Sequence, residues 1–220
     1  MSFKLLAIRA LNGTDTSFIK NLKREVIYSF YKEYEFLDKD GLEIPTTFKT
    51  ELEHLEVTSV RYTQTVPSEL YSVQRKNESE NNKLVVNISS IVGKNGSGKS
   101  GVLELIYRAI YIVAVNQDLI KDEEYFKAQK EAVLERGTDN GFWDGKLREY
   151  NFFINNFKFE LYFMKGNEII KLFHDKEAIL FQSIQTDNGF NIPQPLTKDS
   201  KDFSFFYSVV INYSLYGLNS

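Results

Sequence analysis

Cysteine is absent from this 220-residue chain, and His54 and His174 are its only histidines. Without a thiol there is no disulfide, no thiolate zinc site and no cysteine nucleophile. Two isolated histidines do not make a histidine-rich metal centre, and both are expected to be structural or exposed. There is no basic surplus either. The formal net charge is −3 and the isoelectric point about 5.6, unlike the average surface of a protein dedicated to coating DNA. No apolar run reaches membrane-spanning length, and "MSFKLLAIRALNG" (1–13) has too short an apolar core for a secretory signal. A cytoplasmic protein with no membrane partner is the expectation. Five Asn-x-Ser/Thr sequons, at Asn12, Asn77, Asn87, Asn95 and Asn212, read as chance in that compartment. No repeat or low-complexity segment appears.

Hydrophobic residues make up 42% of the chain, enough to bury a substantial core. "FKLLAIRAL" (3–11) predicts an N-terminal strand closed by a turn at "NG". "REVIYSFYKEYEF" (24–36) alternates, placing Tyr28, Phe30, Tyr34 and Phe36 on one face of a half-buried strand that turns at "DKDG" (38–41). "LEVTSVRYTQT" (55–65) is a further strand candidate, and "QRKNESENNK" (74–83) an exposed loop. "LVVNISSIV" (84–92) has the β-branched content of a buried strand. Apolar residues at Val102, Leu103, Leu105, Ile106, Ile110 and Val113 then predict a helix from 99 to about 116. The charged stretch 117–148 predicts a more exposed helix with Gly137 as its cap. Residues 150–185 predict an antiparallel meander with Phe157, Phe159, Leu161 and Phe163 on one side. Residues 186–202 read as a loop, and "FSFFYSVVIN" (203–212) as a strand covered on both faces.

Between the buried strand and the helix lies Gly93-Lys94-Asn95-Gly96-Ser97-Gly98-Lys99-Ser100, which satisfies G-x-x-x-x-G-K-[ST], the phosphate-binding loop. Its glycines let successive N–H groups point inward at phosphate oxygens, in conformations a Cβ would obstruct. The following helix, from Gly101 on, offers its positive end to the same oxygens. Lys99 is placed to reach the β- and γ-phosphates of ATP, and Ser100 to put its hydroxyl on Mg²⁺.

The inner letters of "GKNGSGKS", with asparagine third and a Gly-Ser-Gly run, resemble the loop of the ABC and SMC (structural maintenance of chromosomes) ATPases and related recombination ATPases. "GVLELIYRAI" (101–110) is similar to that family's first helix. "NYSLYGLNS" (212–220) resembles a stretch of predicted bacterial AAA-type ATPases of the ABC superclass, including those of anti-phage defence operons. The resemblance implies an α/β P-loop fold, a mixed sheet around the loop helix with an antiparallel β subdomain. It also implies a homodimer that sandwiches ATP, coupled to an effector protein or to DNA. Two features depart from it. The loop begins after 92 residues, so about 12–83 reads as an insertion with its own partner surface. The family's Mg²⁺-sensing glutamine has no clear match among Asn212, Tyr213 and Ser214 or at Gln182 and Gln185.

Downstream of Ser100 no four apolar residues end in Asp-Glu, the element that supports Mg²⁺ and polarises water. "IIKLFHD" reaches Asp175 but is interrupted by Lys171, and no "LSGGQ"-type signature occurs. The chain therefore reads as the N-terminal lobe of an incomplete ATPase, a fragment or one part of a longer protein, with weak or absent nucleotide binding and no useful turnover alone. Two other functions compete: a small-molecule P-loop kinase, although Arg108, Arg136 and Arg148 form no lid-like cluster, and a non-hydrolysing ATP-dependent scaffold. The aromatic residues read as core rather than as base-stacking platforms. Trp143 in "NGFWDG" reads as core or loop filler, "KNLKRE" (20–25) as a solvated edge, and Glu123 and Glu124 as part of a mixed-charge helix face.

Overall fold

The computed structural model describes residues 3–44, 54–65, 67, 72–74, 83–85, 98–137, 141–175, 178–185 and 189–197. Within these the chain is mixed α/β, and every strand pair is antiparallel. No helix among them is long and apolar enough to cross a membrane.

The main sheet is built on β1 (Phe3–Ala10) and the meander β7 (Phe159–Lys165), β8 (Glu168–Asp175) and β9 (Ala178–Gln185). Two short strands, β2 (Tyr28–Ser29) and β10 (Gln194–Pro195), close its edges, giving the order β10-β9-β8-β7-β1-β2. Phe157, Phe159, Leu161 and Phe163 do share one side, all fully buried. With Ile8, Ala10, Ile170 and Leu172 they meet α2 (Lys99–Asn116), whose Leu105, Ala109, Ile112 and Val113 complete that core. The opposite face carries Ala7, Tyr162, Ile169 and Ile184. It is covered by a second sheet, β3 (Tyr34–Leu37) paired with β4 (Ser59–Tyr62), through Phe36, Val60 and their neighbours. Leu6 is an extra residue in the register with β7, so Leu6 and Ala7 both turn to this second face.

Several sequence expectations change here. The stretch 24–36 is not one strand: Tyr28 and Phe30 join the helix-side core, whereas Tyr34 and Phe36 join the other. The break is a turn after Phe30, in which the Tyr34 N–H bonds the Tyr31 carbonyl at 3.4 Å. Glu25, left-handed at φ +63°, lies before both strands, and its N–H bonds the Ala10 carbonyl at 2.8 Å. The "DKDG" turn forms, with Asp38 Oδ1 accepting from the N–H groups of Asp40 and Leu42 at 2.9 Å. Only an isolated bridge, Leu37 with Glu43, follows it, and β3 finds its partner at Ser59–Tyr62 instead. The residues read as an insertion thus supply both an edge of the main sheet and the layer over its second face.

α2 has the predicted span, but Leu103 lies outside its buried stripe, 43% exposed. α3 (Asp122–Glu135) has no buried residue, as expected, and Gly137 takes φ +65° just beyond its end. Glu123 and Glu124 are on its charged face, paired with Lys127 and Lys121. α4 (Phe142–Asn156) contradicts two readings: Trp143 sits in a helix rather than a loop, and residues 150–156 finish that helix, so the meander starts at Phe159. Gly141 and Gly145 disguise it in sequence. Trp143, Leu147, Tyr150 and Ile154, at i, i+4, i+7 and i+11, carry the period and are all half-buried. Trp143 packs against Tyr125 and Phe126 of α3, ring centroids 5.9 and 6.1 Å away.

Gln74 and Lys83, the ends of the loop read at 74–83, belong to paired strands β5 (Ser72–Gln74) and β6 (Lys83–Val85), so β6 takes up the start of the strand read at 84–92. The strand read at 203–212 and residues 86–92 lie outside the described residues. The mixed-sheet reading therefore reduces to an antiparallel one where strands are described.

Candidate phosphate-loop site and a buried ionic cluster

α2 begins where the motif requires. Gly98 caps it with φ +90° and ψ 7°, a left-handed conformation that glycine adopts without steric cost, and its carbonyl accepts the Val102 N–H at 3.0 Å. Lys99 and Ser100 therefore occupy the first turn, where backbone N–H groups lack intrahelical acceptors. Lys99 is half-buried, Ser100 exposed and Gly101 buried. Gly93, Lys94, Asn95, Gly96 and Ser97 lie outside the described residues.

A brace from residues 14–24 holds this helix start. Helix α1 (Thr16–Ile19) is capped by Asp15, which accepts from the Ser17 N–H at 2.9 Å. Leu22, just beyond, lies over the two glycines: a Cβ at Gly98 would come within 2.7 Å of its Cδ2, and one at Gly101 within 3.1 Å of its Cγ. Further along α2, Lys20 pairs with Glu104, and Arg108 donates to the Phe18 carbonyl at 2.9 Å. The "KNLKRE" run is thus no solvated edge throughout. Leu22 and Glu25 are buried, and Arg24 Nε donates to the Thr14 carbonyl at 2.7 Å.

Of the glutamine candidates, Gln182 is buried in mid-strand and donates its amide to the Asn191 carbonyl at 2.9 Å, a structural tie. Gln185 ends β9 and Asp175 ends β8, while Asn212, Tyr213 and Ser214 lie outside the described residues. His174 is buried with Nδ1 3.0 Å from the Phe157 carbonyl. No group of three potential metal-binding side chains occurs among the described residues.

A second polar constellation, missed in the sequence, sits under the β3–β4 layer. Arg9, Glu25, Glu160 and Lys171 are all buried. The Arg9 guanidinium reaches Glu25 Oε2 at 2.6 Å, Glu160 Oε2 at 3.1 Å and the Leu55 carbonyl at 2.8 Å. Lys171 Nζ lies 3.1 Å from Glu160 Oε1, and the Tyr162 hydroxyl donates to Glu160 Oε2 at 2.7 Å. Half-exposed His54 touches Glu25 at 2.9 Å from the rim. The two carboxylates balance the two cations, so the cluster is a fixed neutral knot tying β1, β7, β8 and the chain after α1. Burial works to raise the Glu160 carboxyl, but Lys171, Arg9 and the Tyr162 hydroxyl outweigh it and hold it below its ordinary 4.5.

That depression fixes a sign. Glu160's contribution is complete above about pH 4.5 and is lost as pH falls through its lower folded value. Thermal melts of the wild type and Glu160→Gln between pH 7 and pH 2 are expected to converge on the acid side of 4.5; a constant gap would contradict this.

No protein-family model, curated protein or solved structure matches the chain.

Proposed function

We propose that this chain is the nucleotide-binding lobe of a P-loop ATPase of ABC/SMC type. It takes ATP in the loop Gly93–Gly101 with Lys99 on the β- and γ-phosphates and Ser100 on Mg²⁺. The observation that carries the reading is the start of α2: the motif's last glycine is left-handed and its lysine and serine fall in the first helical turn. An exposed Ser100 hydroxyl and first-turn N–H groups form a donor set suited to a Mg²⁺-bound triphosphate. Bound Mg²⁺·ATP brings the phosphoanhydride bond and its charge-neutralising ion. This chain's residues bind and orient that tail. The Asp-Glu pair and signature segment needed for hydrolysis come from another lobe and from a second copy in an ATP-sandwiched homodimer. Closure of that dimer drives an effector protein or a DNA transaction of the defence type.

Millimolar ATP with Mg²⁺ is expected to raise the melting temperature of this chain, since a ligand that binds only the folded state stabilises it by mass action. Lys99→Ala should weaken that binding about 30- to 100-fold and erase the rise. Sustained ATP turnover by these 220 residues alone is not expected. An unshifted wild-type melt would refute nucleotide binding, and turnover would refute the divided engine.

A further inference from the structure

Beside the C-terminal half of α2 there is a hollow of about 260 Å³, walled by α2, α3 and α4. Four of its lining residues are aromatic: Tyr111, Phe126, Tyr150 and Phe153. The rings meet in two pairs, Tyr111 with Phe153 at 5.6 Å and Phe126 with Tyr150 at 6.3 Å. The charged groups of the lining are not equivalent. Arg108 is turned toward Glu104 at 3.0 Å, a carboxylate it shares with Lys20, and donates to the Phe18 carbonyl. Lys146 and Glu149 neutralise one another at 3.0 Å. Asp122 alone has no cation within ion-pair distance among the described residues. Its Oδ2 accepts the Tyr111 hydroxyl at 2.5 Å.

An aromatic lining with one carboxylate that lacks an ion-pair partner favours a cation over an anion, because the carboxylate attracts positive charge and aromatic rings accept a cation over their faces. We propose that this hollow binds a small organic cation, an ammonium group on an apolar body, with Asp122 as counter-ion and the four rings as walls. Size agrees: a cavity of about 150 Å³ admits benzene, so this one admits a ring with a short amine-bearing chain. Tyr150 stays a neutral wall, pushed up to about 12 by burial first and then by Glu123 and Asp122. Burial, then the hydrogen bond to Asp122, raises Tyr111 as well.

The test uses 2-phenylethylammonium, with neutral 2-phenylethanol and anionic phenylacetate as matched controls, at pH 7. Trp143 is the only tryptophan of the chain and lies against Phe126, so its fluorescence reports occupancy. The ammonium is expected to bind at least about ten-fold more tightly than either control. Asp122→Asn should remove that preference, and Phe126→Leu, which keeps the apolar body but not the π face, should weaken the cation about three- to ten-fold. The Phe126→Leu arm decides the matter if Asp122→Asn fails to fold. Equal affinity for the three probes, no binding below about 10 mM, or a preference unchanged in a folded variant would overturn the proposal.

Discussion

Glu160→Gln is expected to lower the unfolding free energy by about 3–5 kcal/mol, because removing one member of a buried ion pair leaves its partner charged and unpaired. The partner is Lys171, buried on β8 with its Nζ over the Phe173 ring at 4.9 Å and no other carboxylate within ion-pair distance among the described residues. Arg9 keeps Glu25, so the loss falls mainly on the lysine. Adding Lys171→Met should return a large part of the stability, since an apolar side chain needs no counter-ion in that layer. Urea unfolding of the two single variants and the double gives the coupling, expected at about 2 kcal/mol or more. Additive effects would mean that Lys171 does not depend on Glu160, and the neutral-knot description would fail.

Gly98→Val should cost about 2–4 kcal/mol. One part is conformational: φ of +90° is hostile to any L residue and most of all to a β-branched one. The other is steric, since the new Cβ would come within 2.7 Å of Leu22 Cδ2. The two parts separate in a Leu22→Ala background, where the clash disappears and the φ penalty stays. Leu22→Ala itself is expected to cost about 2–5 kcal/mol as a truncation of a buried leucine. Faster amide exchange at Val102, whose N–H bonds Gly98 O, would locate the damage at the start of α2. A Gly98→Val protein with wild-type stability and exchange would show that the helix start does not need this glycine.

Periodicity and turn chemistry alone determined much of the architecture. The span of α2, the exposed α3 ending before Gly137, and the meander from Phe159 on with Phe159, Leu161 and Phe163 inside all follow from local pattern. The phosphate-loop motif is equally local, a spacing of residue types that names its own chemistry. α4 escaped because Gly141 and Gly145 imitate a loop, and its helical stripe matters only once Trp143 of α4 meets Phe126 of α3. The split of 24–36 escaped because alternation sets which residues face together, not which sheet they join.

Tertiary structure alone decided the fate of the charges. In sequence, Arg9, Glu160 and Lys171 fall in the polar phase of apolar strands, where a solvent face is the ordinary outcome. The β3–β4 layer covers that face, so the same residues are driven to pair with one another and with Glu25. Leu22 likewise gains its role only by lying over Gly98 and Gly101, far along the chain. Local sequence sets how each segment curls. The long-range covering of one layer by another sets what is dry, and in a dry layer an unpaired charge is too costly to keep.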